Sequence, residues 1–220
     1  MKESRREFLK NSATAAVGAF GACGPRSGEK GRPNILFAFA DDQSFPRAAL
    51  LDDAVLRTPA YDRVAREGVE FEHSYAACPS CTPSRSAVLT GRHIWQVGEG
   101  GVLYGTLPKE YPVFPLLLQD AGYHVGYTGK GWGPGDWTAG CLERYPIVNE
   151  YNSLIVREET VECLYRRDYA ANFEAFFDDR PTNAPFFFWF GCTEPHRVYK
   201  TGIGLTTGIQ LEQVGVTDYW

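Results

Sequence analysis

The apolar positions of the chain fall in short runs separated by polar turns, and two of those runs are continuous rather than alternating. Pro33 to Ala40 reads Pro-Asn-Ile-Leu-Phe-Ala-Phe-Ala and stops abruptly at Asp41-Asp42, the pattern of a strand buried on both faces. Pro185 to Phe190 is more apolar still and β-prone, and leads into polar Thr193-Glu194-Pro195-His196. Between the two, helical and strand periods alternate. Thr58-Pro59 predicts a helix with Thr58 as N-cap, Pro59 at its first position, Tyr61, Val64 and Ala65 on one face, and Gly68 as its stop. Val69 to Tyr75 reads as a strand and Ser84 to Leu89 as a short helix. Phe114 to Ala121 reads as a helix closed by Gly122, His124 to Thr128 as a strand ending at Gly129-Lys130, and Tyr165 to Phe177 as a further helix. This alternation predicts an α/β layered fold with a largely parallel sheet covered on both faces, and puts the functional site beyond the C-terminal ends of the strands. Those ends carry Asp41-Asp42, Lys130, and Glu194 with His196.

Over 220 residues, 44% hydrophobic and 22% charged content is ordinary for a globular chain able to bury a core. A net charge of -5 lacks the cationic excess that neutralises a phosphate backbone, which excludes nucleic acid as a partner class. The first residues differ in composition from the rest. Lys2, Arg5, Arg6 and Lys10 precede a mild apolar run from Ala13 to Ala22, and the stretch from Ser4 to Lys10 resembles a twin-arginine export signal. Residues 1–23 are therefore expected to be a signal peptide handled by the Tat translocase, with export to the periplasm or cell envelope. Phe20-Gly21-Ala22-Cys23 resembles a degenerate lipobox, which makes Cys23 a candidate lipid anchor, and residues 24–32 read as a flexible linker. Cysteines at 23, 78, 81, 141, 163 and 192 are too scattered to define a disulfide framework.

Adjacent carboxylates at the end of a buried strand are costly without compensating charge. The oxygens of Asp41 and Asp42 suit a hard divalent cation such as Ca2+, with Mg2+ as the alternative, although a turn or helix cap is the plainer reading of the pair taken alone. The segment from Cys78 to Arg92 bears on that choice. Cys78-x-x-Cys81 by itself would fit a redox dithiol or half a zinc site, but Pro83-Ser84-Arg85 has no role in either, and no second Cys-x-x-Cys exists. A helix opening near Pro83 and Ser84 would offer backbone N–H groups to a tetrahedral anion, and Arg85 would add a charged fork to the same pocket.

Cys81-x-Pro83-Ser84-Arg85 followed by Leu89-Thr90-Gly91-Arg92 resembles the signature of the type I sulfatases without a mismatch. Arg32-Pro33-Asn34-Ile35 before Asp41-Asp42, the Thr58-Pro59 helix, Thr128-Gly129-Lys130, and Pro185-Phe186-Phe187 before Pro195-His196-Arg197 follow in that family's order. The start and end look most like the N-sulfoglucosamine sulfohydrolase (heparan N-sulfatase) branch. The resemblance implies an alkaline phosphatase-like three-layer fold and a hydrolase that removes O- or N-sulfate from a sulfated glycan or small sulfated sugar. It also implies that a formylglycine-generating enzyme oxidises Cys81 to formylglycine. A hydrated aldehyde has the oxygens that a soft thiolate cannot offer Ca2+; one hydroxyl would attack sulfur, and the other would later lose its proton to expel sulfate.

Carried over residue by residue, Asp41, Asp42 and the modified Cys81 match metal ligands, and Arg85 matches the residue that holds the formylglycine and the metal. Lys130 matches a sulfate-binding cation, and His196 the histidine that contacts sulfate or assists the leaving group. One departure is that Lys130 is followed by Gly131-Trp132-Gly133-Pro134, where many sulfatases carry a histidine. Residues 33–220 are expected to be the N-terminal part of the catalytic domain, because the family's later Asp/Asn ligands and second active-site lysine have no counterpart here. Two other readings stay open. One is a phosphodiesterase or phosphonate hydrolase of the alkaline phosphatase superfamily, and the other is a catalytically silent, truncated protein that binds sulfated glycan.

Overall fold

A computed structural model describes residues 31–44, 56–157, 165–196 and 200–203 of the chain. Strands β1 (Ile35–Asp41), β2 (His124–Gly129), β3 (Asn149–Glu150) and β4 (Phe186–Pro195) form one sheet in the order β1-β4-β2-β3, every neighbouring pair parallel. Parallel neighbours need long crossovers, and the segments between strands supply helices α1 (Pro59–Glu67), α2 (Cys81–Thr90), α3 (Phe114–Asp120) and α4 (Tyr169–Asp178).

The central strand is β4, with Phe187 in register with Ile35 on one side and Val125 on the other. Its side chains fill both faces, which is why a run of Phe and Trp with no polar interruption is stable there. On one face Phe187 and Trp189 join Val125, Tyr127, Leu89 of α2 and Val113 at the start of α3. On the other, Phe186 and Phe188 pack against Phe173 and Phe176 of α4. Each fully buried Phe contributes about 2 kcal/mol, so these two clusters fix the sheet between its helical layers.

The structure corrects several expectations. The apolar run in β1 is not buried on both faces: Leu36 is 58% exposed, and side chains alternate along the strand until buried Asp41. The cause is position, since among the described residues β1 is the outermost strand on its side and α4 packs on β2 and β4. Val69 to Tyr75 is irregular rather than a strand, with Val69, Phe71 and Tyr75 exposed; no strand among the described residues runs beside it to complete a ladder. Helix α1 starts at Pro59 as its sequence predicts, but Tyr61 and Val64 stay exposed, and the Thr58 hydroxyl donates to Asp62 Oδ1 at 2.9 Å.

Helix α2 opens earlier than its apolar spacing suggests, at Cys81, because Ser80 takes the extended N-cap conformation. Helix α4 opens later, at Tyr169, where the Asp168 carboxylate accepts from the Ala171 N–H at 3.0 Å. Residues 165–168 instead run past Ile155, bridged at Arg167. Strand β4 continues through Thr193 and Glu194 to Pro195 rather than ending at Phe190. The expected signal peptide, Cys23, Cys163 and nearly all of the linker lie outside the described residues. Among the described residues, no helix is long and apolar enough to cross a membrane.

Candidate active site

Because β1, β2 and β4 run parallel, their C-terminal ends meet at one edge of the sheet. The β1–β4 ladder brings Asp41 opposite Pro195, and the His196 N–H donates to the Asp41 carbonyl at 3.0 Å. The Lys130 N–H donates to the Gly191 carbonyl at 2.7 Å. This approach admits only glycine: Gly129 has φ +81°, and a Cβ there would come within 1.9 Å of the Gly191 oxygen. Thus the Gly129-Lys130 pair that ends β2 is a requirement of the sheet as well as a place for a cation.

The centre of the site is the Asp41 carboxylate, 5% exposed and held between two cations. Lys130 Nζ donates to its Oδ2, and Arg85 Nη2 lies 3.5 Å from its Oδ1. Cys81 Sγ sits 3.1 Å from Lys130 Nζ and 3.9 Å from Asp41 Oδ1. Three residues distant in sequence, Asp41, Cys81 and Lys130, are therefore in mutual contact.

Arg85 is buried more completely than the sequence suggests. One turn after Cys81 in α2, it lies on the covered face of that helix at 1% exposure. Its Nη1 donates to the carbonyls of Lys130 at 2.7 Å and Gly131 at 2.5 Å, and its guanidinium lies 4.7 Å over the Phe39 ring. Burial lowers the pKa of Arg85 below that of a free guanidinium, and the charge of Asp41 opposes the shift. The expected fork into an anion pocket is instead a brace, tying α2 to the ends of β1 and β2. The helix start differs from expectation in the same way: the Ser84 N–H is spent on the Ser80 carbonyl at 3.1 Å, so the amides without a helical acceptor are those of Cys81 and Thr82.

Cys81, Lys130 and His196 share the wall of a cavity of about 570 Å³ with Trp132, Tyr165 and Arg167. The loop after Lys130 is stitched to α2, with the Trp132 indole donating to Ser86 Oγ at 2.9 Å and the Thr82 hydroxyl donating to the Pro134 carbonyl. Asp42 does not line this cavity; it is exposed, with φ +61°. Glu194 turns toward α4, where it accepts from the Tyr169 hydroxyl at 2.6 Å and lies 3.2 Å from Cys192 Sγ. Burial, then the bond to Glu194, push Tyr169 up to about 12. Burial likewise raises the Cys192 thiol, to about 11. Sequence reasoning missed Arg167, Tyr165 and Trp132 as cavity residues, and only Trp132, two positions after Lys130, had a local signal.

The residue set fits an oxygen nucleophile at position 81 better than a thiol, since a hydroxyl there would donate to Asp41 and accept from Lys130. It fits Ca2+ only in part. That cation takes about 6–8 oxygen ligands, whereas Asp41, Asp42 and an oxygen at position 81 would supply three positions of the shell at most in monodentate form. Among the described residues no three His, Cys, Asp or Glu side chains cluster as a metal site.

A parallel sheet between helical layers, with Asp41 and Lys130 at its strand ends and Cys81 and Arg85 on α2 beside them, makes this an α/β protein, and the fold is alkaline phosphatase-like, as its structural neighbours are. The sulfatase family model matches residues 33–203, and the chain belongs to the sulfatase family. It is 38% identical over 123 residues to arylsulfatase D of Homo sapiens, covering 49% of this chain and 20% of that protein. To an N-acetylglucosamine-6-O-sulfatase of Bacteroides thetaiotaomicron it is 34% identical over 116 residues, covering 53% of this chain and 21% of that protein. In fold it is similar to a protein solved in complex with its substrate D-glucosamine-2-N,6-O-disulfate, with a TM-score of 0.58 and 24% identity over 81% of this chain and 39% of the other. The chain thus spans about a fifth of the length of these curated relatives.

Proposed function

We infer that this chain carries the nucleophile region of a sulfatase whose whole protein hydrolyses the sulfate ester or sulfamate of a sulfated sugar or glycan. One observation carries the reading: Cys81 stands at the first turn of α2, 3.1 Å from Lys130 Nζ and 3.9 Å from Asp41 Oδ1, on the wall of a cavity. Formylglycine at position 81 would supply a hydrated aldehyde as the oxygen nucleophile, and a divalent cation would favour its ionised form.

The chain's own residues then divide the remaining work. Lys130 Nζ, already at the sulfur, balances negative charge that develops on an oxygen in its place, and the Cys81 and Thr82 amides add helix N-terminal donors for a sulfuryl oxygen. Arg85 touches no substrate but fixes Asp41 and the Lys130 carbonyl, so the separation of nucleophile and cation is set before substrate arrives. His196, anchored by its backbone to Asp41, stands on the cavity wall where it can protonate the departing oxygen or nitrogen.

Maturation by a formylglycine-generating enzyme, Tat export and a periplasmic or envelope site complete the proposal. Co-expression with that maturation enzyme and mass spectrometry of the tryptic peptide Glu67–Arg85 tests it directly. An aldehyde is expected at Cys81 and a retained thiol at Cys78. A thiol at both positions refutes the nucleophile assignment. Sulfate release from O-sulfated and N-sulfated glucosamine then assigns the bond cleaved, and turnover of aryl phosphate instead of aryl sulfate would move the reading to the phosphoester branch of the superfamily.

A further inference from the structure

Lys130 leaves β2 from Gly129, a residue type with little torsional preference of its own, here at φ +81°. One side of this strand end is held by β4 and α2: the Lys130 N–H bonds the Gly191 carbonyl, and the Lys130 carbonyl accepts from Arg85 Nη1 at 2.7 Å and the Trp189 indole at 3.0 Å. On the other side, no strand among the described residues reaches as far. β3 pairs with β2 only at Gly126 and Tyr127, and the Tyr151 N–H then bonds the Tyr127 carbonyl at 2.8 Å.

A single side chain stands where the next stretch of strand would be. Asn152 Oδ1 accepts from the Gly129 N–H at 2.7 Å and from the Thr128 hydroxyl at 3.2 Å, and its Nδ2 donates to the Gly129 carbonyl at 3.3 Å. One amide therefore grips both the N–H and the C=O of the same glycine, the two groups whose orientations define its φ and ψ. The amide is itself oriented: Nδ2 also donates to Glu150 Oε1 at 2.7 Å, and Glu150 Oε2 accepts from the Tyr127 hydroxyl at 2.8 Å. Only a side chain with both a donor and an acceptor can do this, which an ionised Asp or an apolar residue cannot.

Asn152 does not line the cavity, so whatever it does for the site passes through Lys130. We propose that Asn152 is a positioning residue, which sets the Gly129 torsions and so holds the Lys130 ammonium against Cys81 and Asp41. What the ammonium does in the reaction rests on the sulfatase reading; where Asn152 holds it does not.

The ammonium can be sensed at the sulfur in the chain expressed without the maturation enzyme. Iodoacetate and iodoacetamide alkylate the same thiol, but only iodoacetate is charged, so the ratio of their rates at Cys81 reads the local field and cancels exposure and ionisation. One positive charge about 4 Å away in water is worth about fivefold in that ratio. Mass spectrometry of the Glu67–Arg85 peptide measures it in the presence of a chelator, with Cys78 as internal reference. Lys130→Met is expected to lie about fivefold below the parent, and Asn152→Ala about two- to threefold below it. The double variant Asn152→Asp, Glu150→Gln keeps an acceptor for Gly129 and a hydrogen bond between 150 and 152, and should fall between Asn152→Ala and the parent. Asn172→Ala is the control for loosening of the fold: Asn172 grips the Leu154 N–H at 3.2 Å and carbonyl at 2.8 Å in the same manner without touching Gly129 or Lys130, so its loss should lower the melt and keep the parent ratio. A parent ratio in Asn152→Ala, an equal fall in Asn172→Ala, or a parent ratio in Lys130→Met overturns the proposal. Sulfate release by the whole matured protein is followed separately, with kcat expected to fall in Asn152→Ala at unchanged KM. A lowered ratio in Asn152→Ala with no release by the parent sinks the sulfatase reading and leaves the positioning standing.

Discussion

Replacing Asp41 with asparagine removes one negative charge from a cluster in which that charge faces two cations. The two are not equally dependent on it. Lys130, with 21% of its side chain exposed, can redirect its ammonium toward water, whereas Arg85 at 1% cannot. Breaking one partner out of a buried ion pair costs about 3–5 kcal/mol, since the other charge is left uncompensated. Arg85 keeps two carbonyl acceptors and the Phe39 ring, so the lower end, about 3 kcal/mol, is expected for Asp41→Asn. Urea denaturation in the presence of a chelator measures this, alone and in a cycle with Arg85→Met. The double variant should recover about 2 kcal/mol relative to the sum of the single variants, because the stranded guanidinium is gone. A buried pair is weakly screened, so the loss should persist in roughly 1 M salt. An Asp41→Asn protein within about 0.5 kcal/mol of the parent, or single effects that add within that margin, would refute the account of Asp41 as the counter-charge of Arg85.

His124 is half-buried against the Phe176 ring at 4.5 Å, and desolvation lowers its pKa. A histidine that is harder to protonate when folded binds fewer protons than its unfolded counterpart, so its contribution is present above about pH 6.5 and is lost as pH falls toward the lowered folded value. Stability should drop as pH falls from neutrality through the unfolded histidine's range, and His124→Gln should flatten that part of the profile; an unaltered slope in the variant counts against the assignment. Gly129→Ala places a Cβ inside the Gly191 carbonyl at a positive φ, so its thermal midpoint should fall by an amount matching more than about 3 kcal/mol. A melt that superposes on the parent's would mean the two strand ends can part without penalty.

Much of the site was readable because its signals are local. Asp41 marks where an apolar strand ends in charge, Gly129 where a strand must pass another backbone, and the spacing Cys81 to Arg85 fixes one helical turn. What each side chain faces was less readable. Arg85 looks like an anion fork until the fold places it over Phe39 and under the Lys130 carbonyl, an arrangement that depends on residues 46 positions before it and 45 after it in sequence. The exposed face of β1 reflects the reach of α4, which no pattern within Ile35 to Asp41 encodes. Val69 to Tyr75 has the composition of a strand, but composition does not supply a neighbour to pair with. Arg167 had no signal at all: its place on the cavity wall can only be seen in three dimensions.

Synthesis order and spatial order disagree in this sheet. The strand that separates β1 from β2 is β4, the last of the four to be synthesised, so until it emerges β1 lacks its neighbour and β2 has only the two-residue β3. Until Phe186 to Pro195 leave the ribosome, Asp41 and Lys130 have no ladder to bring them together, and two aromatic surfaces await cover. Assembly of the charged cluster therefore waits on β4, and any chain that stops before Phe186 leaves β1 and β2 without the strand that joins them and open to aggregation.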